Sequence, residues 1–215
     1  RLRGESGDDV FRFTDGSTLG GGIDGGAGRN TLDYSLYTTA RQLVLSGLYA
    51  DGAEGTESGT LGGGFARIHL IIGGSALDTL TTLDSDSTFV IDGDNAGKYS
   101  TGGYTLEFVS LDHLVGGSGN DSFCFSGTGT IAGSINAGGG RDILDYSAYA
   151  AGVAVNLFTG SATGVNGGAA GSIAGFEDLT GSLLDDELTG DNNANTITGL
   201  AGDDILTGLD GDDIY

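Results

Sequence analysis

Acidic and amide side chains recur at a fixed interval near the C-terminus of this 215-residue chain. Written in nines from Gly181, the sequence reads GSLLDDELT, GDNNANTIT, GLAGDDILT and GLDGDDIY. Each segment begins with Gly, and the sixth position holds in turn Asp186, Asn195, Asp204 and Asp213. Carboxylate and amide oxygens are the ligands that hard cations such as Ca²⁺ take in proteins. The pattern therefore predicts cation binding.

The nonapeptide also predicts the elements that position these side chains. Its first six residues form a tight turn, because Gly adopts backbone angles that other residues resist. Its last three residues form a short strand whose position-eight side chain points inward. Two nonapeptides then complete one coil, and residues 18 apart stack on the same side. We expect Asp186 to lie over Asp204, and Asn195 over Asp213.

The stacking distance favours Ca²⁺ for these two pairs. Neighbouring strands lie about 4.7–4.9 Å apart, and Ca²⁺ binds oxygens at about 2.3–2.6 Å. An ion midway between two turns therefore reaches oxygens of both. Without a cation, stacked carboxylates repel one another.

Two further pairs are predicted outside the tandem block. Nonapeptides beginning at Gly4 and Gly25 place Asp9 and Asn30 at position six, 21 residues apart, which makes one slightly enlarged coil. The same arrangement returns 112 residues later with Asp121 and Asp142. This long-period duplication indicates a repeat array. Because Asp142 replaces the amide of Asn30, the second copy is expected to bind the ion better.

A third pattern, apolar-x-x-apolar-x-G-[GS]-x-x-x-D-x-apolar, covers residues 68–80, 111–123 and 176–188. Each copy leads a strand into a glycine turn and out again. His69 and His113 fall in this pattern, which indicates repeat variation rather than catalysis. Alternation and β-branched residues predict further strands at 88–91, 104–109 and 153–158. No window predicts a helix.

Composition excludes several classes of protein. The net charge of −22 argues against nucleic-acid binding, which needs a basic surface. The single cysteine, Cys124, excludes an internal disulfide. The sequence contains no run of 18 apolar residues, so it predicts no membrane span. No signal peptide is visible. The chain lacks an initiating Met and opens inside a repeat, so we expect a fragment or a processed chain.

The tandem block resembles the repeats-in-toxin (RTX) family, the hemolysin-type calcium-binding proteins. Their pattern is G-G-x-G-x-D-x-U-x, with U a large apolar residue. The segment 199–207 departs from it only at position two, and the segment beginning at Gly190 matches least well. The resemblance implies a parallel β-roll that binds Ca²⁺ in its turns, with backbone carbonyls completing each shell. Residues 144–182 are similar to RTX-containing parts of large bacterial surface and secreted proteins.

These observations predict an all-β chain folded as a right-handed parallel β-solenoid. We expect one repeat unit over 1–115, with an irregular surface excursion near 50–65, and a second over 116–215 that ends in the tandem nonapeptides 181–215. The predicted function is a non-enzymatic, Ca²⁺-stabilised structural or adhesive module outside the cell. We expect the module to assemble end to end or to continue into a longer fibre, and surface polysaccharide is a candidate partner. The alternative is a catalytic β-helix acting on acidic polysaccharide, or a Ca²⁺-dependent accessory domain of a secreted hydrolase.

Overall fold

The structure, a computed structural model, describes residues 1–215 and is all-β, as predicted. Its only helical element is a single 3-10 turn at Asn166–Gly168. The first strands are β1 (Leu2–Arg3), β2 (Val10–Thr14), β3 (Ile23–Asp24), β4 (Thr31–Leu36), β5 (Gln42–Tyr49), β6 (Gly52–Glu57), β7 (Phe65–Ile68), β8 (Leu70–Ile72), β9 (Thr79–Thr81), β10 (Ser87–Gly93), β11 (Ala96–Thr101) and β12 (Tyr104–Val109). The remaining strands are β13 (His113–Val115), β14 (Asp121–Gly127), β15 (Ile135–Asn136), β16 (Ile143–Tyr149), β17 (Ala154–Asn156), β18 (Ser161–Ala162), β19 (Ile173–Ala174), β20 (Asp178–Thr180), β21 (Glu187–Thr189), β22 (Thr196–Thr198) and β23 (Ile205–Thr207). None of the structure's helical segments is long and apolar enough to cross a membrane.

Most strands belong to two large sheets. The ten-stranded sheet has the order β2-β4-β8-β12-β11-β10-β14-β16-β20-β22, and the seven-stranded sheet has the order β19-β15-β13-β9-β5-β6-β7. A four-stranded sheet (β18-β17-β21-β23) and a two-stranded sheet (β1-β3) complete the fold. Towards the C-terminus, successive strands alternate between sheets, since β20 and β22 lie in the ten-stranded sheet while β21 and β23 lie in the four-stranded one. Both large sheets run across residues 115 and 116, because β10 pairs with β14 and β13 with β15.

The strands are short because each contributes few inward side chains before a glycine turn. In the three-residue strands β20 and β22, the middle residues Leu179 and Ile197 are buried while their neighbours are partly or fully exposed. Alternation of side chains across a strand gives this pattern. The pairing is parallel, with Leu179 opposite Ile197. The 18-residue period of the sequence therefore appears as strand register.

Aromatic rings stack inside the two wider coils, which are the 21-residue coils of the duplication. Phe125 and Tyr146 stack with ring centroids 4.9 Å apart, and their counterparts in the duplication, Phe13 and Tyr34, stack at 5.6 Å. Phe89 adds another stacked pair with Phe123, at 4.2 Å. Offset aromatic stacking contributes beyond the area that it buries. These rings belong to one continuous core of buried side chains.

Three antiparallel segments interrupt the parallel order, the shortest being the hairpin of β17 and β18. Strands β10, β11 and β12 form one meander, and β5, β6 and β7 form the other. The expected surface excursion near 50–65 is wrong, because β6 lies between β5 and β7 with Ala53 and Glu57 buried. Glu57 is held there by Arg41, at 3.2 Å, and by the backbone amides of Thr60 and Leu61. The region departs from the parallel pattern, but it is a sheet strand.

Candidate metal centre

The structure brings together both members of each pair that the sequence predicts to stack. In every pair, the backbone N–H of the first residue donates to a side-chain oxygen of the second. The distances are 3.0 Å for Asp186 to Asp204, 3.0 Å for Asn195 to Asp213, 2.7 Å for Asp121 to Asp142 and 3.1 Å for Asp9 to Asn30. These contacts span 18 residues in the tandem block and 21 residues in the other two pairs.

In the turns that begin with glycine, the position-six side chain folds back over that glycine. Asp186 shows the arrangement fully: Oδ2 accepts the backbone N–H of Ser182 at 2.7 Å, and Oδ1 accepts that of Val153 at 2.7 Å. A Cβ added at Gly181 would overlap Asp186 Oδ2. The first position of the nonapeptide is therefore glycine because the carboxylate occupies the space that a side chain would need.

The same requirement holds at Gly116, where an added Cβ would lie 2.6 Å from Asp121 Oδ2. That oxygen accepts the backbone N–H of Gly117 at 3.2 Å, and Oδ1 accepts the hydroxyl of Ser87 at 2.6 Å. Both oxygens of Asp121 are thus occupied by hydrogen bonds.

Position-six residues form a longer series than the sequence predicts. At the start of successive strands in the ten-stranded sheet, these side chains lie side by side. We call this series the acidic row; its members are Ser87, Asp121, Asp142, Glu177, Asn195 and Asp213. Glu177 was not predicted as a member. Its Oε2 accepts the backbone N–H of Asp142 at 2.8 Å, and its carbonyl oxygen accepts Nδ2 of Asn195 at 2.9 Å.

Asp78 and Asp112 form an equivalent pair on the seven-stranded sheet that sequence reasoning also missed. The N–H of Asp78 donates to Asp112 Oδ2 at 2.8 Å, and the N–H of Arg41 donates to Asp78 Oδ1 at 2.5 Å. Asn95 Nδ2 donates to Asp112 Oδ1 at 2.8 Å. A signal for Asp78 was present, because it is the Asp of the first copy of the three-copy pattern.

The two histidines take the place of acidic acceptors. His69 Nδ1 accepts the backbone N–H of Asn30 at 3.2 Å, and His113 Nδ1 accepts that of Ser134 at 3.0 Å. Burial lowers the pKa of His69, which keeps the ring neutral and able to accept. Their positions agree with repeat variation.

Burial raises the pKa of several carboxyls in these turns. The pKa of Asp142 rises to about 6 because the group is buried and lies beside Asp121 and Glu177. Burial likewise raises the pKa of Asp121 and of Asp78. Like charges held out of water are an electrostatic cost that a bound cation would offset.

The residues present fit an oxygen-liganding cation. Two buried carboxylate oxygens, Asp9 Oδ2 and Asp142 Oδ2, have no hydrogen-bond partner. No three His, Cys, Asp or Glu side chains are grouped so that they could hold a metal by themselves. Bound Ca²⁺ would therefore take backbone carbonyl or water oxygens in addition to the side chains, as it commonly does.

An open polar groove of about 440 Å³ lies beside the acidic row. It is lined by Ser87, Thr88, Ser100, Thr101, Gly102, Gly103, Ser122, Asn120 and Asp86. Asp86 is the one carboxylate of this lining, whereas glycoside hydrolysis generally uses a pair of carboxylates.

Comparison with known families identifies the repeats. The model of the RTX calcium-binding nonapeptide repeat matches residues 111–123 and 180–215, in four copies. The match includes the pair Asp186/Asp204 and the pair Asn195/Asp213, and it leaves residues 1–110 and 124–179 outside. No curated protein matches the chain. The chain therefore carries RTX calcium-binding nonapeptide repeats, whose position-six side chains are the ones that the structure stacks.

Proposed function

We propose that the chain is a calcium-binding module built as a right-handed parallel β-solenoid. The observation that carries this proposal is the 18-residue register of the tandem block. That register holds Asp186 and Asp204 against each other within a segment that matches calcium-binding repeats. Asp186, Asp204, Asn195 and Asp213 would hold ions of the tandem block, and Asp121, Asp142, Asp9 and Asn30 those of the wider coils.

The solenoid form is supported by the path of the chain. Strands β20 to β23 alternate between two sheets, and each pairs in parallel with the strand 18 residues away. Parallel crossover connections are right-handed in nearly all proteins. The two repeat units are proposed as 1–115 and 116–215.

The charge distribution supports a cation as the ligand. No Lys or Arg follows Arg141, whereas Asp and Glu continue almost to the C-terminus. Without a counter-ion, such a segment repels itself. Extracellular modules bind Ca²⁺ at about 10⁻⁴–10⁻³ M, which matches the calcium available outside cells.

In this proposal the module is non-enzymatic and acts in an extracellular structure or at a cell surface. The ten-stranded sheet has β2 at one edge and β22 towards the other, so its two edges could each take a further strand. Such edges suit end-to-end association or continuation into a longer fibre. The hydroxyl-rich groove beside Asp86 is where surface polysaccharide would bind.

Calcium removal tests the proposal. In excess chelator, residues 181–215 should lose most of their β-structure, and millimolar Ca²⁺ should restore it, because metal binding is coupled to folding. Circular dichroism and hydrogen exchange measure the change, and calorimetric titration measures the ion directly. A spectrum unchanged by chelator, together with no heat of binding, would contradict the proposal. Assays on uronate polymers with and without Ca²⁺ test the non-enzymatic role, for which no cleavage is expected.

A further inference from the structure

One member of the acidic row has an oxygen that the protein leaves without a partner. Asp142 is fully buried, and its Oδ1 accepts the backbone N–H of Asp121 at 2.7 Å. Its Oδ2 is also buried, yet no donor reaches it. A buried charged oxygen without a hydrogen bond is costly, so such an atom calls for a ligand.

The turn that precedes Asp142 explains why this oxygen has no partner. In the turns of Asp121 and Asp186 the position-two amide reaches the carboxylate, from Gly117 and Ser182 respectively. Here the corresponding N–H, that of Gly138, donates instead to Asn136 Oδ1 at 3.3 Å. Position one is also Ala137 rather than glycine, so a real Cβ occupies the space that the carboxylate fills elsewhere.

Glu177 brings a second carboxylate to the same turn. Its Oε2 contacts the backbone N–H of Asp142 at 2.8 Å, and its own carbonyl is fixed by Asn195. The neighbouring cationic side chain, that of Arg141, makes its hydrogen bonds to Asp178 instead, at 2.6 and 2.8 Å. The Glu177 carboxylate therefore lies against the backbone of Asp142, and no side-chain cation is bonded to either acid.

We propose that Asp142 and Glu177 bind a divalent oxygen-liganding cation, with Ca²⁺ as the ion that fits the donor set. The site lies outside the nonapeptide matches, and it rests on the proposed calcium-binding function. It adds Glu177, which the sequence does not predict as a ligand, to the Asp121 and Asp142 turns of the wider coil. Backbone carbonyl or water oxygens complete the coordination shell.

Calcium titration of the whole chain by calorimetry tests this site. Glu177→Gln keeps an oxygen that can accept the N–H of Asp142 but removes the charge. Glu54→Gln is the control, because Glu54 is also partly buried and lies in β6, away from the acidic row. We expect Glu177→Gln to lose one equivalent of bound Ca²⁺ while the remaining sites titrate as in the wild type, and Glu54→Gln to lose none. Equal stoichiometry and affinity in Glu177→Gln and the wild type would overturn the proposal.

Asp142→Asn provides a second readout that a purely structural role would not give. Removal of an unpaired buried charge should stabilise the chelator-treated protein, while the added stability from Ca²⁺ should shrink. A variant that is less stable in chelator and gains as much from Ca²⁺ as the wild type would contradict the site. If the wild type binds no Ca²⁺, this inference fails together with the proposed function. If Asp204→Ala weakens binding but Glu177→Gln does not, only this inference fails.

Discussion

A methyl group added at Gly181 should break the turn that holds Asp186. The added Cβ would overlap Asp186 Oδ2 and would lie 2.9 Å from the carbonyl oxygen of Gly199. The carboxylate must therefore leave its position, and it then loses its bond to the N–H of Ser182 and weakens its bond to Val153.

The cost follows from these contacts. Hydrogen bonds to charged groups contribute about 1.5–3 kcal/mol each, so the loss of one or two costs about 2–5 kcal/mol. Replacement of Gly by Ala returns about 0.4–1 kcal/mol through the unfolded chain. The expected net destabilisation of Gly181→Ala is about 1.5–4 kcal/mol.

Gly139→Ala is the matched control. An added Cβ at Gly139 meets no atom within 4 Å, and the backbone there is not left-handed. Its free energy of unfolding should stay within about 1 kcal/mol of the wild type. Urea unfolding measures both variants, with hydrogen exchange at residues 181–190 as the local readout. Equal stability of the two variants would refute the reasoning that the carboxylate requires glycine at position one.

Substitutions at the calcium ligands, at Asp142 and in the aromatic core give three further tests. Asp204→Ala should weaken Ca²⁺ binding more than Asn195→Ala, because it removes a charge; equal calorimetric titrations would count against the proposed ligands. Because the pKa of Asp142 is raised to about 6 in the fold, its contribution to stability is present at low pH and is lost as the pH rises through 6. Chelator-treated protein should thus be about 1 kcal/mol more stable at pH 5 than at pH 7.5 through this group, and in denaturant titrations Asp142→Asn should show a pH difference smaller by that amount. Phe123→Ala, in the stacked core, should cost about 3–5 kcal/mol, whereas Phe158→Ala, which is 62% exposed, should be nearly neutral in the same unfolding assay.

The sequence predicts those parts of the fold that its period encodes. Asp186 and Asp204 are 18 residues apart in a regular pattern, so their stacking follows from the length of one coil. The 112-residue duplication similarly relates the pair Phe13 and Tyr34 to Phe125 and Tyr146.

The parts that the sequence does not predict depend on irregular spacing and on competing hydrogen bonds. Glu177 lies 35 residues after Asp142, and the intervening segment hides their adjacency. Strand β6 pairs antiparallel, which a pattern of parallel coils cannot reveal. Asp142 has an oxygen without a partner because the N–H of Gly138 donates to Asn136 instead. The sequence does not show which of these two acceptors the N–H takes.

Anomalous diffraction from crystals grown in millimolar Ca²⁺ would locate the ions directly. We expect anomalous density between the turns that hold Asp186 and Asp204, and between Asp142 and Glu177. A well-ordered map without anomalous density in either place, with these carboxylates bonded only to backbone amides, would contradict the proposed sites.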